Sequence, residues 1–169
     1  MTSDELGVKS DGTVFIITKN KNPQRPEGTE LVRLAIQEEQ KCTIQLDTKK
    51  PSSTTTNDDS FMKNGLPGKG TDVTIYLNPT QDLTGTGAEG LPLFLVLGHE
   101  LIHAVRGMNG TDVGWIEVNY YVDGQLYRAQ QEELFVSGIW TQNESNPYRI
   151  RITENSLRKE NGLKPRKIY

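Results

Sequence analysis

Cysteine is nearly missing from this 169-residue chain. Cys42 is the only one, so no intrachain disulfide is possible and the fold does not rely on an oxidising compartment. Long apolar runs are missing as well: no stretch approaches the roughly 20 residues that a membrane span needs, and none is expected. Met1-Thr2-Ser3-Asp4-Glu5-Leu6 lacks the basic start and apolar core of a Sec-type signal. Neither sign of charge is in large excess. A net charge of −3 argues against nucleic acid as a partner and against a membrane-surface patch. Apolar residues reach only 34%, which implies long polar loops around a modest core, and the length suits a single domain over residues 1–169. Histidine is almost as scarce as cysteine. There are two, His99 and His103.

Those two fall in one stretch, Gly90 to Gly110, and frame the motif His99-Glu100-Leu101-Ile102-His103. On a helix, positions i and i+4 lie one above the other, so both imidazoles project from one face. At that separation they can share one zinc ion, and Glu100 stands close enough to serve as general base. The surroundings are apolar on nearly every side. Leu91, Leu93, Phe94, Leu95, Val96 and Leu97 precede the motif, and Ala104 and Val105 follow it, as in a central buried helix. Pro92 suits its first turn, and Gly107 and Asn109-Gly110 suit its end. Two core histidines and a glutamate satisfied by backbone alone would bury a carboxylate without a counter-charge, which is costly. A metal supplies the counter-charge.

Along the rest of the chain, residues 1–10 read as a frayed start, and Thr13 to Thr18 as a β-branched and aromatic strand. Thr29 to Lys41 has helical spacing, and Thr43 to Asp47 alternates as a second strand. Residues 49–70 form a long polar loop with a Ser/Thr run. Val73 to Leu77 is a third strand, followed by a loop at Thr80 to Gly90. Asp123-Gly124 marks a hairpin between Trp115 to Tyr121 and Gln125 to Arg128. Helical spacing returns at Gln130 to Trp140, and Thr153 to Gly162 is a short helix with a Thr cap and a Gly stop.

A catalytic zinc keeps three protein ligands and one open position. A metzincin extension would need Gly at 106 and His at 109, where Arg106 and Asn109 stand, so that subclass is excluded. No third histidine remains, which leaves a downstream carboxylate: Glu117, Asp123, Glu132 or Glu133. Only Glu132 and Glu133 lie on an expected helix with an apolar face. Neighbours on a helix point about 100° apart, so one of the two faces the metal, and periodicity does not choose between them.

A resemblance does choose. His99 to Ala104, H-E-L-I-H-A, with Glu132 to Gly138, E-E-L-x-x-x-G, is similar to the zinc site of clostridial neurotoxin light chains, where the second Glu of the later motif binds zinc. This implies Glu133 as ligand and Glu132 as an outer neighbour. The terminal Arg166-Lys167-Ile168-Tyr169 resembles the R-x-x-Y of those chains, whose two side chains stabilise the oxyanion, and Glu154, twelve residues earlier, matches the Glu that holds the Arg. A broader likeness runs from Leu97 to Tyr169. The E-E-L-x-x-x-G motif, I-T-E-N-x-L-R-x-E-x-G-L at Ile152 to Leu163, and R-x-x-Y together resemble the NleD-like family of bacterial effector metallopeptidases, which includes secreted effectors and toxin domains.

These readings imply an α+β, zincin-like domain in which a small, mostly antiparallel sheet of the strands near 13–18, 43–47 and 72–77 packs on the metal helix. Zn2+ is the expected cofactor. The expected partner is a protein segment bound as an extended strand, with no nucleic acid, and the chain is expected to be a monomer. The resemblance implies delivery into a host cell and action in its cytoplasm on a signalling protein such as a MAP kinase. Two rivals remain: a zinc hydrolase of small amides or cell-wall peptides, and a binding module that has kept the fold without the chemistry. The intact Glu100 argues against the second.

Overall fold

In a computed structural model the described residues are 1–83, 90–140, 148 and 150–169; part of the loop expected at Thr80 to Gly90 lies outside them. The chain starts with an antiparallel hairpin, β1 (Glu5–Val8) and β2 (Val14–Thr18), paired from Glu5↔Thr18 to Val8↔Val14. This corrects the frayed start. The Asp4 carboxylate is buried, accepts from Arg33 Nε at 2.6 Å and Nη2 at 2.7 Å, and also takes the Asn20 N–H. A buried carboxylate with three donors anchors the first residues, a long-range tie that local composition does not reveal.

Arg33 belongs to α1 (Pro26–Gln37), which opens on a proline suited to the first helical turn. Its free N-terminal amides are met from a distance: Glu160 accepts from the N–H of Glu27 and of Gly28, both at 2.9 Å.

The second sheet joins β3 (Cys42–Leu46), β4 (Ser53–Thr54) and β5 (Val73–Leu77) in the order β3-β5-β4. Here the expectation needs correcting. β3 runs parallel to β5 and β4 antiparallel to it, so the sheet is mixed, and the 13–18 strand is not part of it. The third member is a two-residue strand inside the long polar segment. Val73, Ile75 and Leu77 alternate into the core, the period-2 pattern of a half-buried strand.

That buried face receives α2 (Leu93–Met108), which also packs on α1. Leu95, Leu101, Ile102, Ala104, Val105 and Met108 are buried together with Leu31, Val73 and Ile75. A hairpin of β6 (Glu117–Val122) and β7 (Gln125–Gln130) follows. Both turn residues have positive φ, 50° at Asp123 and 82° at Gly124, the type I′ turn that this dipeptide favours. β7 passes directly into α3 (Gln131–Ser137), and α4 (Glu154–Glu160) packs across α2 with Leu157 in the core. The architecture is α+β. Helix α2 lies at its centre, with β5, α1, α3 and α4 around it.

Candidate metal centre

Helix α2 places His99 and His103 one turn apart on a buried face, as the spacing requires. Their Nε2 atoms are 3.2 Å from each other. Glu133, in the first turn of α3, brings its Oε2 to 3.2 Å from both. These three atoms form a nearly equilateral triangle able to hold one metal ion. With both Nε2 atoms unprotonated, three acceptors this close would repel one another, so the triangle calls for a proton or a metal cation among them.

The electrostatics point the same way. Burial opposes charging the His99 ring, but Glu133 and Glu154 outweigh it and raise the imidazole to about 10. His103 is shifted upward too, burial again being overcome by the Glu133 charge. Burial would raise Glu133, yet the two imidazoles hold it well below the usual carboxylate range. A field that retains protons so firmly is one that favours a bound cation.

The adjacent glutamates part company. Glu132 turns away from the histidines and pairs through both carboxylate oxygens with Arg106, accepting from Nε and, at 2.8 Å, from Nη2. It also accepts the Val113 N–H at 3.0 Å. Arg106 is only 2% exposed, so this pair is an internal strut between α2 and α3.

Glu154 lies behind His99. Its Oε2 is 2.9 Å from His99 Nδ1, and its Oε1 accepts from Arg158 Nε at 2.6 Å. Arg166 Nη1 approaches Oε2 at 3.3 Å. Burial acts against the charge of Glu154, but the bond to His99 and the two arginines bring it down to about 2. A permanent carboxylate on Nδ1 fixes the ring so that Nε2 offers its lone pair to the triangle.

Glu100 lines the same cleft, where Thr54 Oγ1 is 2.8 Å from its Oε2 and 3.0 Å from its carbonyl oxygen. The tail folds over the site. The Tyr169 ring stacks on His99 with centroids 6.1 Å apart, and the Arg166 guanidinium lies 4.1 Å from the Tyr169 centroid. Burial, reinforced by the Glu133 carboxylate that the phenol meets, keeps the Tyr169 hydroxyl protonated far into alkaline pH. The structure therefore gathers His99, Glu100, His103, Glu133 and Tyr169 around one cleft with Glu132 at its wall, while Glu154 and Arg166 line a second cleft that shares His99, Glu100 and Tyr169 with the first.

Three contacts here escaped sequence reasoning. Thr54 sits in a Ser/Thr run with no distinguishing pattern. Arg158 carried a signal, because it stands four residues after Glu154 on a helix. Arg106 carried one too: a cation within an apolar buried helix requires an acidic partner. No curated protein and no solved structure matches the chain. The family model of the M91 peptidases, described as effector proteins, matches residues 19–169. The histidine pair, the carboxylates around it and that match lead to one assignment: the chain belongs to the M91 peptidase family of effector proteins.

Proposed function

We propose that this chain is a zinc-dependent endopeptidase of zincin-like architecture that cleaves a host protein after delivery into the host cytoplasm. The observation that carries the metal assignment is the triangle of Nε2, Nε2 and Oε2 atoms with edges of 3.2 Å. A regular tetrahedron with zinc–ligand bonds of about 2.0–2.1 Å has edges of about 3.3 Å. His99, His103 and Glu133 are thus spaced as residues that would hold one zinc ion. Family membership supports peptidase and effector; a signalling kinase as target rests on the resemblance to the NleD-like effectors.

Zinc bound there supplies a Lewis acid and makes water acidic enough to attack near neutral pH. The remaining roles fall to the protein. Glu100, held by Thr54, accepts the proton of the attacking water and returns it to the leaving amine. Tyr169, protonated at working pH, and Arg166 donate to the oxyanion that grows on the scissile carbonyl. Glu154 orients both His99 and Arg166. The substrate enters as an extended segment along the cleft beside β4, a short strand at one edge of its sheet.

The test compares purified wild type with Glu100→Gln. Both should carry about one zinc per chain, and the variant should lose about 10²–10⁴ in cleavage rate. Mapping new protein termini in host-cell extract, active against Glu100→Gln, identifies the substrate. Folded proteins left intact while small amides are hydrolysed would overturn the endopeptidase assignment.

A further inference from the structure

Two oxyanion donors on a segment outside any helix or strand are useful only if something holds them. In this structure each donor's backbone is gripped on both polar groups by one side chain. Asn155, in the first turn of α4, accepts the Arg166 N–H at 2.6 Å and donates to the Arg166 carbonyl at 3.0 Å. Tyr120, on β6, accepts the Tyr169 N–H at 2.8 Å through its hydroxyl and donates that hydroxyl to the Tyr169 main-chain oxygen at 3.3 Å. Between the grips, Arg166 Nε closes the turn on the Ile168 carbonyl at 2.9 Å. The grips come from different elements, one on the helix that supports His99 and one on the hairpin that leads into α3.

We propose that Tyr120, with Asn155, is a positioning residue that locks the Arg166–Tyr169 segment over the metal centre before substrate arrives. The inference rests on the reading of Arg166 and Tyr169 as oxyanion donors. Tyr120 is only 3% exposed, and its ring lies 5.7 Å from that of Tyr127. The rigid strand therefore fixes its hydroxyl, and a phenylalanine would keep the packing while removing both bonds to Tyr169. Donors already in place cost no reorganisation when charge develops, which is what makes such a site effective. Through this grip the β6–β7 hairpin becomes part of the active centre without touching the metal.

The experiment measures Tyr120→Phe, Tyr169→Phe and the double variant on one fluorogenic peptide chosen from a random-sequence library because the wild type cleaves it. Amide exchange of residues 164–169 is followed in parallel. Tyr120→Phe should keep its zinc, leave KM within about twofold, speed exchange in the tail and lower kcat by about tenfold, the worth of one hydrogen bond. In the Tyr169→Phe background the same change should cost less than about threefold, because the hydroxyl it positions is gone. Asn155→Ala, which frees the Arg166 backbone instead, should show the same split between kcat and KM. Unchanged tail exchange in Tyr120→Phe overturns the lock whatever the kinetics. A kcat loss in Tyr169→Phe without one in Tyr120→Phe overturns the positioning role alone. Undiminished kcat in both variants overturns the donor reading and the positioning role with it.

Discussion

At the residue scale the sharpest contrast lies between Glu132 and Glu133, neighbours with opposite tasks. Glu133→Ala removes one corner of the triangle and should abolish tight zinc binding, with folding of the rest retained. Glu132→Ala should act differently, because it takes away the carboxylate that pairs through both oxygens with Arg106, a cation only 2% exposed. That loss is worth roughly 3–5 kcal/mol, so unfolding in denaturant should report it clearly. Metal analysis of whatever remains folded should still find zinc. A Glu132→Ala protein of wild-type stability and low zinc content would show that the two roles are reversed. The i, i+4 spacing made it legible in the sequence that His99 and His103 share one helix face. The sequence could not separate the two glutamates, because α3 is only seven residues long and begins directly off a strand. Its register is set by Arg106, a residue outside α3.

At the scale of elements the centre depends on how α3 and α4 are set against the long helix α2, and Gly138 is where the two short helices meet. It caps α3 at φ 80°, and a Cβ there would lie 2.6 Å from Thr153 Oγ1. Thr153 is the N-cap of α4, its hydroxyl accepting the Ser156 N–H at 3.1 Å. The glycine of E-E-L-x-x-x-G thus has a physical cause in this chain: a left-handed cap pressed against the cap of the next helix. Gly138→Ala should cost more than about 1 kcal/mol through φ strain alone. It should also loosen the start of α4, which carries Glu154, so zinc affinity should fall although no ligand is altered. Thermal melts with and without added zinc measure both effects; an unchanged melt would refute the argument. Elements were legible where local chemistry set them, as in the Asp123-Gly124 hairpin and the Thr153 cap. β4 was not. Ser53 and Thr54 gain strand character only from pairing with Tyr76 and Ile75.

Over the whole molecule, the same features that make the metal fit make its removal expensive. Two imidazoles and Glu133 converge at 3.2 Å, and Glu154 and Glu100 add to the negative field, as the upward shift of His99 shows. Helix α2 would supply two ligands and α3 the third, so a bound ion would tie the central helix to the β7–α3 unit. A ligand that binds only the folded state stabilises it by about 2.7 kcal/mol when present at 100 times its dissociation constant. For a chain of this size each kcal/mol moves Tm by about 2–4 °C, which puts the expected gain at roughly 5–11 °C. Chelation should therefore lower Tm by that amount, and zinc added in excess of chelator should restore it. Glu100→Gln, which leaves every ligand in place, should show the full shift despite its loss of cleavage. Glu133→Ala should show little or none. This separates the stabilising task of the ion from its chemistry, since one variant keeps the shift without the activity and the other lacks both. A wild-type Tm indifferent to chelator and to zinc would remove the metal from the centre of this fold, and the endopeptidase proposal would fall with it.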